Sequence, residues 1–322
     1  MSAAISSYST YLIDLDGVVY RGDELLPGAQ AFIAWLAANQ KKYLFPTNNS
    51  FATEAQVVTK LTRLGIATST EHVLAAAHAA VQYIANHYPQ ASVYVVGEPA
   101  LADLVRAAHL NVVNDTSFTS PDIYKGLPLH EEDNPQGPAQ DQAGHFESGG
   151  DQASRYSENV SSQTSERNAS SPLKADAVLV GLDRTFDYKK LRGAIDAVRA
   201  GAAFIAINRD PLLPIEGSFI PGTGTMVAAI EAGSGVKPIV IGKPEPTLLQ
   251  ESMRVLGSQP GETVMIGDNL EVDIQAGRVA GTATLLVLSG KESRARVAQS
   301  TLKPDFVFED LAAVLRAIQA EE

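Results

Sequence analysis

Apolar residues recur along this chain in two rhythms. Short runs rich in Val, Ile, Leu and Tyr, at residues 11–15, 42–45, 92–96, 111–113, 177–182, 203–207, 239–241, 263–266, 284–288 and 306–308, have the length and β-branched content of buried strands. Between them the apolar positions recur every three or four residues. Ala29, Phe32, Ile33, Leu36 and Ala37 follow Pro27-Gly28 in this way. Val57, Val58, Leu61 and Leu64 follow the capping-box letters Thr53-Glu54-Ala55-Gln56 and precede Gly65. Further helices are predicted over 72–88, 101–108, 188–200, from Pro221-Gly222-Thr223-Gly224-Thr225 to about Gly233, after Pro246, and over 311–318. Strand and helix in alternation make an α/β protein with a doubly wound, Rossmann-like parallel sheet.

The alternation runs in two groups. Residues 1–81 and 209–322 read as one core, into which a smaller α/β domain at 82–208 is inserted. Within the insertion the pattern stops at about 121–174. The part from 131 to 172 carries eight acidic and two basic residues among Gln, Ser, Gly and Asn, and buries too little apolar surface to offset its ordering entropy. A disordered loop is expected there.

Composition narrows the function classes. The chain has 322 residues, 45% of them hydrophobic, and 25 Lys+Arg against 37 Asp+Glu give a net charge of −12. That balance argues against nucleic acid or an anionic membrane surface as partner. There is no cysteine, hence no disulfide framework and no thiolate chemistry. No apolar run approaches the roughly 20 residues of a membrane span, and the first ten residues lack a basic and apolar leader, so a cytoplasmic setting is expected.

The candidate chemistry lies just past the predicted strands, where open parallel sheets place ligands. The run at 11–15 leads into Asp14-Leu15-Asp16-Gly17. Two carboxylates this close repel unless a cation or shared proton lies between them, and an all-oxygen set of this kind suits Mg²⁺. The same letters also open calcium loops, but here position five is Val18 and position twelve is Leu25, neither of them a ligand. Thr47-Asn48-Asn49-Ser50 follows the second strand, Gly242-Lys243-Pro244 a later one, and Gly267-Asp268 with Asp273 the next. Pro221–Thr225 has the glycines of a phosphate loop without its lysine, and reads as a structural helix start.

Taken in order, Asp-x-Asp-Gly, Thr-Asn-Asn, Gly-Lys-Pro and Gly-Asp-x-x-x-x-Asp resemble the four motifs of the haloacid dehalogenase superfamily. Tyr94-Val95-Val96-Gly97-Glu98, Gly181-Leu182-Asp183, Asn208-Arg209-Asp210-Pro211 and Pro221-Gly222-Thr223-Gly224 are similar to its NagD-like phosphatases of subclass IIA, which carry a large α/β cap. The resemblance covers nearly the whole chain apart from about 121–174. Pro46 departs from the small or aliphatic residue usual before the threonine.

The resemblance implies a phosphomonoester hydrolase that uses Mg²⁺ and acts on a small phosphorylated metabolite, with a homodimer left open. Asp14 would be the nucleophile and a metal ligand. Asp16 would bind metal through its carbonyl and serve as acid and base through its carboxyl. Asp268 would complete the protein ligands, with Asp273 behind them orienting water. Thr47, Asn48 and Lys243 would hold the phosphoryl oxygens. Asp183 and Arg184, in a loop past a cap strand, are expected to meet the organic part of the substrate. A phosphoacceptor signalling protein and a phosphotransferase are the alternatives. Against the first stand the chain's length, the inserted domain and the second acid two residues after Asp14.

Overall fold

The computed structural model describes residues 4–48, 53–114, 174–215 and 218–321. The strands are β1 (Thr10–Ile13), β2 (Tyr20–Arg21), β3 (Glu24–Leu25), β4 (Lys42–Thr47), β5 (Val73–Ala75), β6 (Ser92–Val96), β7 (Asn111–Val112), β8 (Ala177–Val180), β9 (Ala203–Ala206), β10 (Leu212–Ile215), β11 (Ser218–Pro221), β12 (Ile239–Val240), β13 (Thr263–Gly267), β14 (Ala283–Val287) and β15 (Phe306–Phe308). The helices are α1 (Ala29–Ala38), α2 (Glu54–Arg63), α3 (Ala76–His87), α4 (Pro99–Ala107), α5 (Tyr188–Arg199), α6 (Thr223–Ser234), α7 (Thr247–Leu256), α8 (Gln275–Ala280), α9 (Arg294–Gln299) and α10 (Leu311–Glu321).

A six-stranded parallel sheet in the order β15-β14-β13-β1-β4-β5 forms the core. Its central strand β1 is buried along its whole length, and alternation splits its side chains between two layers. Tyr11 and Ile13 join Phe32, Leu36, Phe45 and Ile266 on one face, where the Tyr11 ring meets Phe32 edge-on with centroids 5.9 Å apart. The Tyr11 hydroxyl donates to the Ile5 carbonyl at 2.8 Å, so the ring is buried with its polar end satisfied. Leu12 lies on the other face with Leu44 and Met265, in a cluster that continues through α3 to Val95, Leu179 and Ile205. One apolar layer thus joins the core to a second sheet.

That second sheet is also parallel, in the order β12-β9-β8-β6-β7. Its far face packs Val178, Val180 and Phe204 against Ala194 and Val198 of α5 and Met226, Val227 and Ile230 of α6. Here the structure differs from the sequence grouping. Residues 209 onward were expected in the core, yet α6 packs on α5 and β12 pairs with β9. Both segments have the strand and helix character expected of them; the choice between sheets depends on partners far away in sequence. We therefore propose residue 242, rather than 209, as the start of the second core segment.

Among the described residues, the short features that escaped the apolar pattern include β5, absorbed into the predicted helix at 72–88, the hairpins β2–β3 and β10–β11, and the helices α8 and α9. The glycines of Pro221–Thr225 are used internally, as Gly222 and Gly224 donate their N–H groups to the Pro211 and Asp210 carbonyls. Pro46 lies beyond Leu44, the last β4 residue paired to β1, so its missing donor interrupts no rung on that side. The acidic stretch at 121–174 lies outside the described residues except at its last position. Among the described residues, no helix is long and apolar enough to cross a membrane.

Candidate active site

Parallel pairing of β1 with β13 sets their carboxyl ends side by side, and the chain delivers its acids there. Asp14 follows β1 directly, with its N–H given to the Ile266 carbonyl at 2.9 Å. The chain then turns. Gly17 adopts φ 72° and donates to the Tyr20 carbonyl at 2.8 Å, while Asp16 forms an isolated bridge to Tyr20. Asp268 follows β13, and Asp273 comes from the π-helical turn Leu270–Ile274. This wider turn opens under Asn269, whose side chain accepts the Glu271 N–H at 3.0 Å.

Carboxylate oxygens of Asp14, Asp268 and Asp273 all lie within 4.8 Å of one another. Among the described residues, one cation stands between them. The Lys243 ammonium donates to Asp14 Oδ1 at 2.5 Å and to Asp273 Oδ1 at 2.7 Å, with its side chain only 3% exposed. Asp273 Oδ2 accepts the Asn269 N–H at 3.2 Å, and Asp268 Oδ2 accepts the Lys291 N–H at 2.7 Å.

Three acids against one ammonium leave the site overloaded with negative charge, and the acids respond. Burial pushes the Asp14 carboxyl up to about 8, with Asp273 and Asp268 adding to the rise and Lys243 opposing it. Burial likewise raises Asp268 to about 7, helped by Asp273 and, more weakly, by Asp16, and opposed by the Lys291 N–H. Lys243 goes the other way to its own burial, which disfavours its charge. The Asp14 and Asp273 carboxylates outweigh that cost and hold it protonated. A cluster of hard oxygens with surplus negative charge is the donor set Mg²⁺ takes, so these residues fit the ion that the sequence implied.

The sequence-predicted residues divide into those brought together and those held apart. Asp14, Lys243, Asp268 and Asp273 converge. The carboxylate of Asp16 is not in the three-acid cluster, because the alternation that would aim it beside Asp14 stops where β1 ends at Ile13. Thr47 ends β4 and is buried. Asn48 takes a part that its pattern did not disclose. Its Oδ1 accepts the Lys243 N–H at 2.8 Å and its Nδ2 donates to the Lys243 carbonyl at 2.7 Å, so one amide grips both sides of residue 243. Asn208, from the end of β9, donates to the Asn48 carbonyl at 3.5 Å.

The cap pair is corrected in one member. Asp183 was expected to face a substrate, but its carboxylate is buried and taken by internal donors: Thr185 N at 2.9 Å, Thr185 Oγ1 at 2.7 Å and Lys190 Nζ at 2.7 Å. It anchors the loop. Arg184 is exposed and paired with Glu98, just past the carboxyl ends of the adjacent strands β8 and β6. Glu98 entered the sequence reading only as the last letter of the Tyr94–Glu98 motif and was given no role of its own, although it too lies just past a strand.

Two family models match segments toward the two ends of the chain. That of the haloacid dehalogenase-like hydrolases matches residues 11–111, and a HAD-hydrolase-like model matches residues 240–314. The chain belongs to the haloacid dehalogenase superfamily. It is 33% identical to the 5′-nucleotidase YutF of Bacillus subtilis over 95% of its own length and 97% of the relative's. To an acid sugar phosphatase of Staphylococcus aureus it is 31% identical, over 95% and 96%. A mutant of a thermostable p-nitrophenylphosphatase from Bacillus stearothermophilus has the same fold at TM-score 0.71 and 32% identity, with 95% and 97% covered. NagD from Escherichia coli superposes at TM-score 0.70 over 95% and 98%, with 24% identity. Within the superfamily the chain is thus a NagD-like phosphatase of subclass IIA, a phosphoric monoester hydrolase.

Proposed function

We propose that this phosphatase hydrolyses a small phosphomonoester, a nucleotide, sugar phosphate, phosphoglycolate or aryl phosphate, through a phosphoryl group carried on Asp14. The observation that carries the reading is the convergence of Asp14, Asp268 and Asp273 around the buried Lys243 ammonium. The names of the relatives, a 5′-nucleotidase, acid sugar phosphatases and p-nitrophenylphosphatases, support a small substrate.

In this reading an Asp14 oxygen attacks phosphorus in line, forming an O–P bond as the bond to the leaving oxygen breaks. The Asp16 carboxyl gives that oxygen its proton, then accepts one from the water that attacks phosphorus and frees Asp14. Lys243, already 2.5 Å from Asp14, is placed to neutralise phosphoryl charge as it develops, together with Thr47 and the backbone at Asn48. Asn48 acts chiefly by fixing Lys243. Asp14, Asp268 and the Asp16 carbonyl would hold Mg²⁺, which when bound supplies charge neutralisation that keeps Asp14 ionised. Asp273 fixes Lys243 and the Asn269 N–H from behind.

A panel of nucleoside monophosphates, sugar phosphates, phosphoglycolate and p-nitrophenyl phosphate, assayed with Mg²⁺ and with excess EDTA, tests this. Release of phosphate from at least one class, lost in EDTA and restored by Mg²⁺, is expected. Undiminished turnover in EDTA would overturn the metal assignment.

A further inference from the structure

The loop after β14 belongs to none of the four motif regions, yet it touches both acid-bearing turns of the site. β14 neighbours β13, not β1, and its loop curls across the end of β13 to reach the turn after β1. Ser289 Oγ donates to the Gly17 carbonyl at 2.8 Å. Two residues on, the Lys291 N–H donates to Asp268 Oδ2 at 2.7 Å. Next, the buried Glu292 accepts the Leu270 N–H on Oε1 at 3.4 Å. Arg21, from the hairpin that follows the first turn, donates to the Ser289 carbonyl at 2.5 Å and so holds the loop from outside.

Gly290, between these donors, has no room for a side chain. A Cβ there would lie 2.0 Å from Asp268 Oδ2 and 2.6 Å from its Cγ. A Cβ on Gly17 would lie 2.3 Å from the same oxygen and 3.0 Å from the Gly290 Cα. The Asp268 carboxylate is therefore clamped between two bare backbones, with its Oδ2 fixed by a third residue's N–H. A carboxylate held this closely keeps its position when charge arrives or leaves, which is what a preorganised ligand requires.

We propose that residues 289–292 are a positioning element for the cation site, setting the distance between the Asp14–Gly17 turn and Asp268 and thereby the affinity for a divalent ion. Ser289 sets one side of that distance and the Gly290-Lys291 backbone the other. The inference rests on the Mg²⁺ reading above, and the two fail separately.

The experiment is titration calorimetry of the full chain with MgCl₂, without substrate, for the wild type, Gly290→Ala, Ser289→Ala and Ser289→Thr. Melting temperatures in EDTA are measured alongside. Gly290→Ala should weaken Mg²⁺ binding by about 10- to 100-fold, the range for a lost supporting contact to a metal ligand. Ser289→Ala should weaken it several-fold with a melting temperature in EDTA close to wild type, and Ser289→Thr, which keeps the hydroxyl, should recover most of the loss. At saturating Mg²⁺ the KM for p-nitrophenyl phosphate should stay within about threefold, since the phosphate contacts are untouched. Should Gly290→Ala fail to fold, the Ser289 pair decides. Mg²⁺ affinity within twofold of wild type in the folded variants overturns the inference while leaving the metal reading intact. A wild type that takes up no Mg²⁺ overturns both, and shows it before any substitution is made.

Discussion

Replacing Lys243 by methionine tests the electrostatic core of the site, because it removes the one cation among three acids and nearly keeps the volume. The ammonium is 2.5 Å from Asp14 and 2.7 Å from Asp273, and the Asp273 side chain is only 2% exposed. Removing one partner of a buried pair costs about 3–5 kcal/mol, since the other is left charged and unpaired. At about 2 °C per kcal/mol, the low end for domains of this size, the melting temperature in EDTA at pH 7.5 should fall by about 6–10 °C. Mg²⁺ should recover part of that fall, because the ion meets the same surplus charge. Turnover at saturating Mg²⁺ should drop by about 10²–10³-fold, the cost of losing one preorganised charge stabiliser. Scanning calorimetry with and without EDTA reads the first effect and a p-nitrophenyl phosphate assay the second. A melting temperature in EDTA within 2 °C of wild type would refute the reasoning. It would mean that Asp14 and Asp273 shed their charge at no cost and that the ammonium does not hold them together.

Asp14→Asn should keep the fold and lose at least about 10⁴-fold in turnover, the scale of a missing covalent nucleophile, and more than a few per cent of residual activity would sink the nucleophile assignment. Asp14 and Asp268 bind protons more tightly folded than unfolded, with pKa values of about 8 and about 7 against an ordinary 3.8. Between about pH 4 and 8 the native state therefore holds more of these protons, and their contribution to stability declines as pH rises. The melting temperature of the metal-free wild type should accordingly fall from pH 5 to 8 more steeply than that of Asp14→Asn, and parallel curves would contradict it. Asn48→Ala removes both hydrogen bonds that fix the Lys243 backbone and should lower kcat at least tenfold with the pH profile broadened; kinetics identical to wild type would show that the lysine is held by its carboxylates alone. Arg184→Ala should reorder the substrate panel while leaving p-nitrophenyl phosphate within about threefold, and a uniform fall across the panel would assign substrate choice to another part of the cap.

What could be read from the sequence was local. Asp14, Asp268 and Lys243 are each announced by an apolar run that stops at a polar residue, and a parallel sheet turns that signal into a shared location. β5 and the hairpins are only two to four residues per strand, too few for a period to register. Asp183 and Arg184 carry the same letters whether they face in or out. Lys190, seven residues on and buried on α5, draws Asp183 inward. The Ser289–Lys291 loop acts through a hydroxyl, an absent Cβ and a backbone N–H, none of them a charged side chain of the kind that marks a site. Its one visible signal was position, a polar turn just past a strand, as at the four motifs.

The placement of Lys243 follows from two sheets that share an edge of function. The strands of the second sheet are all parallel, so β8, β9 and β12 end on one side, and it is from there that Asn208 and Lys243 reach the core. The Lys243 ammonium thus hangs from the last strand of one sheet, three residues past Val240, while its carboxylate partners belong to the other. Left so, any shift of the second sheet would be passed down β12 to that charge. Asn48 prevents this at the joint. By gripping the N–H and the carbonyl of residue 243 with one amide, it makes the lysine's backbone part of the core, directly after the strand that carries Thr47. Lys243 is thus held beside Asp14 from two directions, by its carboxylate partners at the ammonium and by Asn48 at the backbone.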